Sequence, residues 1–258
     1  MKIVTPVDKD SLLIKRTYKV LEVGPGSNPT KRADVLVEKF LNDDTHRRGG
    51  LRIFPHQKLI ESDGENLPFR DKEFDYVICS HVLEHANDPV KFISEQMRVA
   101  KMGYIEIPSL IGEFLSPKKS HKWVILEIED KIVMFEKERI IHRFENDFGE
   151  LFLNYLPYKS LLFRILTTSK QNFTTIRHQW KDSVDLIVSP PEDSEYSRYF
   201  TDKWSTEMVQ KIFPPESTSV EIASILRSLA RFSFQKLKRG LNINAKPLTL
   251  EEYRGLTN

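Results

Sequence analysis

The chain has 258 residues, with 39 Lys and Arg against 37 Asp and Glu for a formal charge of +2; 29% of its residues are charged and 40% hydrophobic. That mixture can bury a core, and it excludes a wholly disordered, collagen-like or low-complexity chain. A balance so near zero gives no strong nucleic-acid signal, which would need a concentrated basic face. The lone Cys79 excludes an intramolecular disulfide and a thiolate zinc site, and a reducing cytoplasm is the simplest compartment. Met1 to Asp10 lacks the apolar core of a signal peptide, and no stretch reaches the roughly 20 apolar residues that span a bilayer. A soluble, cytoplasmic protein is therefore expected. Asn172-Phe173-Thr174 matches a glycosylation sequon and reads as chance.

In chain order, short apolar runs at Lys19 to Val23, Asp34 to Val37, Lys58 to Ser62, Tyr76 to Ser80 and Tyr104 to Ile107 alternate with turn or helix signals. Continuous rather than alternating apolar runs imply strands covered on both faces, and their spacing implies βαβ units. The fold class expected is α/β: a doubly wound, mostly parallel, Rossmann-like sheet, followed by antiparallel C-terminal strands and an appended helical segment. A helix is predicted over Pro89 to Lys101, with Asp88 as N-cap, Pro89 at the first helical position and Gly103 just beyond the end. Val90, Ile93, Met97 and Ala100 mark its packing face. Trp123 to Glu129 and Ile132 to Glu136 read as a hairpin turning near Asp130. Phe173 to Trp180 with Val184 to Val188 reads as a second antiparallel pair. Between them, Arg139 to Leu156 reads as a helix with Phe144, Phe148, Phe152 and Tyr155 packed into the core. Breaks follow at Pro190-Pro191 and Pro214-Pro215. Thr218 and Glu221 then form a capping box that opens a helix to about Arg239.

The first strand runs into Gly24-Pro25-Gly26-Ser27-Asn28-Pro29. Glycines there let a backbone approach a ligand at the C-terminal edge of a sheet, where open α/β folds bind ligands. A dinucleotide site wants a third glycine for close helix packing, and position 29 is Pro, so nicotinamide or flavin binding is disfavoured. Glu38 closes the second strand, where a carboxylate can accept both hydroxyls of a ribose diol. Asp63 opens Asp63-Gly64-Glu65-Asn66-Leu67-Pro68-Phe69, Phe74-Asp75-Tyr76-Val77 begins the fourth strand, and His81-Val82-Leu83-Glu84-His85 follows it.

In this combination and order, residues 19 to 108 resemble the class I S-adenosylmethionine-dependent methyltransferases. The resemblance implies S-adenosyl-L-methionine as cofactor. Glu22, Gly24, Pro25 and Gly26 would surround its methionine part, Glu38 would hold the ribose, Asp63 and Gly64 would contact the adenine, and Ser80 and His81 would border the methyl group. A sulfonium methyl is already activated, so alignment and exclusion of water suffice and no metal is demanded. Without the resemblance, Gly24 and Gly26 also fit a tight turn, Glu38 a surface acid and Asp63 a turn residue before Gly64.

Glu38 follows Gly24 by only 14 positions, too few for a full helix and a strand. The helix after the glycine loop is thus expected to be short or absent, and the polar stretch Asn42 to Gly50 to serve in its place as a lid. For a hydroxyl acceptor the general-base candidates are His81, His121 in Lys118-Lys119-Ser120-His121-Lys122-Trp123, and His142. His81 and His121 are the catalytic residues expected. His121 and Trp123 also fit an ordinary loop that anchors the hairpin.

Residues 226 to 239 carry Arg227, Arg231, Lys236, Lys238 and Arg239 and no acid. The helix over 218 to 239 could contact an anionic membrane surface or a protein, or simply pack with a basic outer face. Residues 1 to 189 are expected to form the methyltransferase domain, its cofactor half over 19 to 108 and its acceptor-side elements over 109 to 189, with 190 to 258 a C-terminal helical extension. The function expected is methyl transfer to a small-molecule, glycan or lipid-linked acceptor at oxygen, since no Asn-Pro-Pro-Tyr motif of amino-group methylation is present. The rival is a non-catalytic scaffold of the same fold that acts through its basic C-terminal helix.

Overall fold

Runs of two to nine residues become strands in a computed structural model that describes residues 1–43, 49–144, 146–170, 172–240 and 246–257, with backbone alone over 234–240 and at Thr257. The strands are β1 (Lys2–Val4), β2 (Val20–Val23), β3 (Val35–Glu38), β4 (Arg52–Ile53), β5 (Lys58–Glu61), β6 (Phe74–Ser80), β7 (Ala100–Pro108), β8 (Trp123–Ile128), β9 (Lys131–Glu136), β10 (Thr175–Lys181), β11 (Leu186–Val188) and β12 (Leu248–Thr249). The α-helices are α1 (Pro89–Val99), α2 (Leu110–Leu115), α3 (Leu156–Lys159), α4 (Leu161–Ser169), α5 (Glu195–Thr201), α6 (Thr206–Ile212), α7 (Thr218–Gly240) and α8 (Leu250–Thr257). Two units partition them: Met1–Ile107 with Arg177–Val188 and Lys246–Asn258, and Pro108–Ile176 with Ser189–Ala245. This division differs from the 1–189 and 190–258 domains expected, because the chain leaves the first unit at Pro108 and returns to it twice.

The first unit is built on a sheet of order β1-β10-β7-β6-β2-β3-β5. β7, β6, β2, β3 and β5 are parallel, in keeping with the mostly parallel Rossmann-like sheet expected. Val20, Leu21, Leu36, Ile78 and Tyr104 are fully buried, as continuous apolar strands covered on both faces must be. β10 pairs antiparallel with β1, not with the 184–188 segment; this corrects the second hairpin expected. No local pattern announces a partner about 175 residues away in the chain.

α1 begins as its sequence dictates. The Asp88 carboxylate accepts from the Lys91 N–H at 2.9 Å, and Pro89 occupies the first position. Its buried residues are Pro89, Phe92, Ile93, Gln96 and Val99; of the face expected, Ile93 and Ala100 are buried, whereas Val90 is 55% exposed. The helix stops at Val99 because Ala100 already belongs to β7.

The connection from β2 to β3 carries no helix, as its length foretold. Side chains satisfy its backbone instead, a requirement for buried polar groups. Gln57, 2% exposed, donates to the Thr30 and Ala33 carbonyls at 2.8 and 3.0 Å. Arg32 donates to the carbonyls of Lys15 and Arg16. Residues 44 to 48 of the expected lid lie outside the described residues.

In the second unit, β8 and β9 pair from Trp123 with Glu136 to Ile128 with Lys131. Glu129 and Asp130 turn the hairpin with φ of 50° and 63°, the left-handed pair that a two-residue turn needs. The Phe135 and Phe200 rings stack at 5.0 Å. The single helix expected over 139–156 is not formed. A kinked 3₁₀ segment (Lys137–Arg143), a π-helical turn (Glu150–Tyr155) and α3 replace it. The aromatic stripe divides accordingly: Phe144 stacks on Phe114 at 4.7 Å, while Phe148 and Tyr155 are 51% and 55% exposed. α7 starts at Thr218, as expected, but the Glu221 N–H donates to the Ser217 carbonyl and its carboxylate pairs with Lys170 at 3.1 Å. Ser217 therefore stands at the cap in place of the Thr218 box.

Candidate functional site

Four adjacent parallel strands, β6, β2, β3 and β5, end at one edge of the first unit's sheet. Their register sets Val23 level with Val37 and Cys79, and Glu38 level with Glu61. Just beyond these ends come Ser80 and His81, Gly24 to Gly26, Glu38, and Asp63 with Gly64. At about 4.8 Å per strand the edge is roughly 14 Å wide. The structure thus brings Gly24, Pro25, Gly26, Glu38, Asp63, Gly64, Ser80 and His81 together.

Gly24 turns the chain with φ of +67°, and its N–H donates to the Val37 carbonyl at 2.8 Å. A Cβ there would meet Val82 Cγ2 at 2.3 Å, so glycine is required both by backbone and by packing. A Cβ on Gly64 would lie 2.4 Å from the Phe92 ring; this glycine lets the Asp63 loop settle on α1.

Glu22 is 1% exposed. Its carboxylate accepts from the Thr30 N–H at 2.6 Å and the Thr30 hydroxyl at 3.0 Å, and it pairs with Lys9 Nζ at 3.0 Å. Lys9 also donates to the Asn28 carbonyl. Glu22 therefore holds the loop of residues 24–30 from beneath, and a buried pair of this kind depends on both partners.

Glu38 Oε1 accepts from the N–H groups of Lys39 and Phe40 at 3.1 and 3.4 Å, fixing the turn after β3. The next residue, Lys39, reaches Asp63 Oδ2 at 2.6 Å, while Asp63 Oδ1 accepts from the Glu65 N–H at 2.9 Å. Burial pushes the Asp63 pKa up, but the Lys39 and Glu65 hydrogen bonds outweigh it and hold the carboxyl below its ordinary range. It is a carboxylate at neutral pH.

His81 adopts φ of +56°, a strained setting for a non-glycine residue of the kind that collects at functional sites. Its N–H donates to the Glu106 carbonyl at 2.8 Å. Nδ1 lies 3.3 Å from Glu84 and Nε2 lies 3.5 Å from Glu106. Burial opposes the imidazolium, yet the two carboxylates prevail and raise the pKa to about 10. Glu106 is nearly buried and also receives the Tyr104 hydroxyl, with Arg177 Nε at 3.5 Å. Burial pushes its pKa up, but His81, Tyr104 and Arg177 together bring it down to about 2. The two carboxylates thus bias His81 toward its cationic form at neutral pH. Ser80 Oγ lies 3.4 Å from the same Glu106 carboxylate.

Residues 36–105, from β3 into β7, match a family model described as a methyltransferase domain. Over these residues the chain is similar to methyltransferase domains. Over 68 residues it is 41% identical to an uncharacterised protein of Methanocaldococcus jannaschii, a match covering 24% of this chain and 33% of that one. It is 28% identical over 134 residues to 2-methyl-6-phytyl-1,4-hydroquinone methyltransferase 2, chloroplastic, of Oryza sativa, covering 49% and 37%. It is 38% identical over 78 residues to norajmaline N-methyltransferase of Rauvolfia serpentina, covering 28% and 27%. The chain spans about a third of the length of these curated relatives. Among solved structures, a Haloferax volcanii putative methyltransferase in complex with the Trm112 activator aligns at TM-score 0.38 and 12% identity, over 66% of this chain and 85% of that one. A Pyrococcus horikoshii protein aligns at TM-score 0.31 and 20% identity, over 50% and 71%.

The strand edge has neighbours that the motifs did not reveal. Lys39 was signalled only by standing next to Glu38. Glu106 was signalled by an acid between apolar residues in Tyr104-Ile105-Glu106-Ile107, a pattern that demands a buried partner. Arg177 comes from β10, far along the chain.

His121 belongs to the second unit. Its Nδ1 lies 2.6 Å from Glu113, which is 1% exposed and also binds Lys137 Nζ and the Lys118 N–H. Burial raises the Glu113 pKa, but His121 and Lys137 outweigh it and hold the group ionised. The His121 loop is thereby pinned to α2 and to the residue after β9.

Proposed function

We propose that the protein is an S-adenosylmethionine-dependent methyltransferase whose cofactor lies across the β6-β2-β3-β5 edge. The observation that carries this reading is the coincidence of the family match over residues 36–105 with an edge that gathers two carboxylates, a glycine turn and a cationic histidine. The donor set suits the group: Glu38 offers a carboxylate to a ribose diol, Asp63 one to the adenine end, and the Gly24-Pro25-Gly26 backbone a close approach for the methionine end.

Bound there, S-adenosylmethionine supplies a methyl group already activated on a sulfonium sulfur. The chain's own work is alignment and exclusion of water. Glu22, by holding the loop of residues 24–30, fixes one end of the site, and Lys39 fixes the orientation of Asp63. Ser80 and His81 border the transferring methyl. Glu84 and Glu106 hold His81 toward its charged form, and its role is to set a positive charge beside the acceptor oxygen.

The acceptor is a small molecule, a glycan or a lipid-linked compound, methylated at oxygen. A cation beside the methyl favours an acceptor oxygen that ionises readily, such as a phenolic one, since the positive charge stabilises the oxyanion. The names of the two methyltransferase relatives point to different acceptors, a hydroquinone and an amine nitrogen. The test is transfer of labelled methyl from the cofactor to aqueous, glycan and lipid fractions of a cell extract. Label acquired as one CH₂ with the native protein and lost with Asp63→Ala supports the reading; no transfer to any fraction overturns it.

A further inference from the structure

The second unit turns an apolar helical surface toward solvent. α3 and α4 bury no residue at all, and Tyr158, Leu162 and Leu166 are 76%, 79% and 47% exposed. α7 packs on α4, and small polar groups take part in the contact. Ser224 donates to the Ser169 carbonyl at 3.1 Å, and the buried Ser228 donates to its own preceding turn. Ile222 and Leu226, one turn apart, face outward at 52% and 60% exposure. A helix docked on a protein core shows the reverse order, aliphatic groups inward and serines outward.

The charges identify what covers this surface. From Leu156 to Lys170 the chain has three cations and no acid, and from Ile222 to Gly240 five cations and no acid. Lys170 is engaged by Glu221, and the Arg164 guanidinium lies over the Phe232 ring at 5.2 Å. A second copy would set cation against cation, which disfavours self-association. Aliphatic side chains interleaved with cations match the boundary of an anionic bilayer, where the apolar groups enter the acyl region and the cations meet phosphates. Among the described residues no helix is long and apolar enough to cross a membrane, so the helices would lie on it.

We propose that α3, α4 and α7 form a surface that binds anionic phospholipid membranes. This stands apart from the cofactor edge and holds whichever acceptor is methylated.

Co-sedimentation of the full chain with vesicles of phosphatidylglycerol and phosphatidylcholine, against phosphatidylcholine alone, tests it. The native protein should bind only the anionic vesicles, and less as salt is added. Leu162→Glu with Leu226→Glu, both at exposed positions, should leave the circular dichroism spectrum unchanged and weaken binding at least about tenfold. Arg227→Glu should weaken it by about fivefold or more. Native protein left in the supernatant, equal binding to neutral vesicles, or a monomeric Leu162→Glu/Leu226→Glu variant of a dimeric native protein would each overturn the proposal.

Discussion

Lys39 Nζ lies 2.6 Å from Asp63 Oδ2, so the residue after one proposed cofactor ligand holds the other. Both side chains are more than a third exposed, and such pairs contribute at most about 1 kcal/mol. Asp63 can therefore exchange Lys39 for a ligand at little cost. Lys39→Met should leave cofactor affinity within about fivefold, whereas Asp63→Ala should lower it about tenfold or more. Titration calorimetry on both variants distinguishes a ligand from a surface ion pair.

The buried Glu22 and Lys9 pair makes a different demand. Removing one member leaves an uncompensated charge, and Lys9→Met should destabilise the protein by about 3 kcal/mol or more. Adding Glu22→Gln in the same chain should recover part of that loss, since the amide still accepts from Thr30. Equilibrium urea unfolding of the single and double variants gives the coupling. Additive losses would show that the two side chains act independently.

At His81 the pH dependence has a definite sign. Its pKa is raised from 6.5 to about 10 in the folded protein, so its stabilisation is complete below pH 6.5 and is lost as pH rises towards 10. For Glu106, lowered from 4.5 to about 2, the contribution is present above 4.5 and is lost as pH falls towards 2. The difference in Tm between the native protein and His81→Gln should be widest between about pH 4.5 and 6.5, narrow through the alkaline range, and narrow again as pH falls below 4.5. NMR of the His81 ring should show imidazolium at pH 8; a ring titrating near 6.5 would remove the basis for a positive charge beside the acceptor.

Gly24 allows a sharper steric test. Gly24→Ala meets both a left-handed φ and the Val82 methyl, and should cost about 1–3 kcal/mol. Val82→Ala in the same chain relieves only the contact, so partial recovery in denaturant unfolding separates packing from backbone strain.

The strands that build the edge were legible from their apolar runs, and the glycine after β2, the acid closing β3, Asp63 after β5 and Ser80-His81 at the end of β6 named the site. The start of α1 was legible because Asp88 and Pro89 act locally. The segment 139–156 was not: its aromatic spacing is helical, but Asn146 to Phe148 break the helix, and Phe144 is drawn to Phe114 from another part of the chain. The pairing of β10 with β1 and the approach of Arg177 to Glu106 depend on contacts distant in sequence. That is why the charge state of His81 could not be read beforehand, although the residue itself could.

Calorimetric titration of the native protein with S-adenosylmethionine, beside Glu38→Ala and Asp63→Ala, bears on the cofactor edge without needing the acceptor. One binding site in the native protein, weakened about tenfold or more in each folded variant, is the result expected. No heat from the folded native protein, or equal binding by all three, would contradict a cofactor held across the ends of β3 and β5.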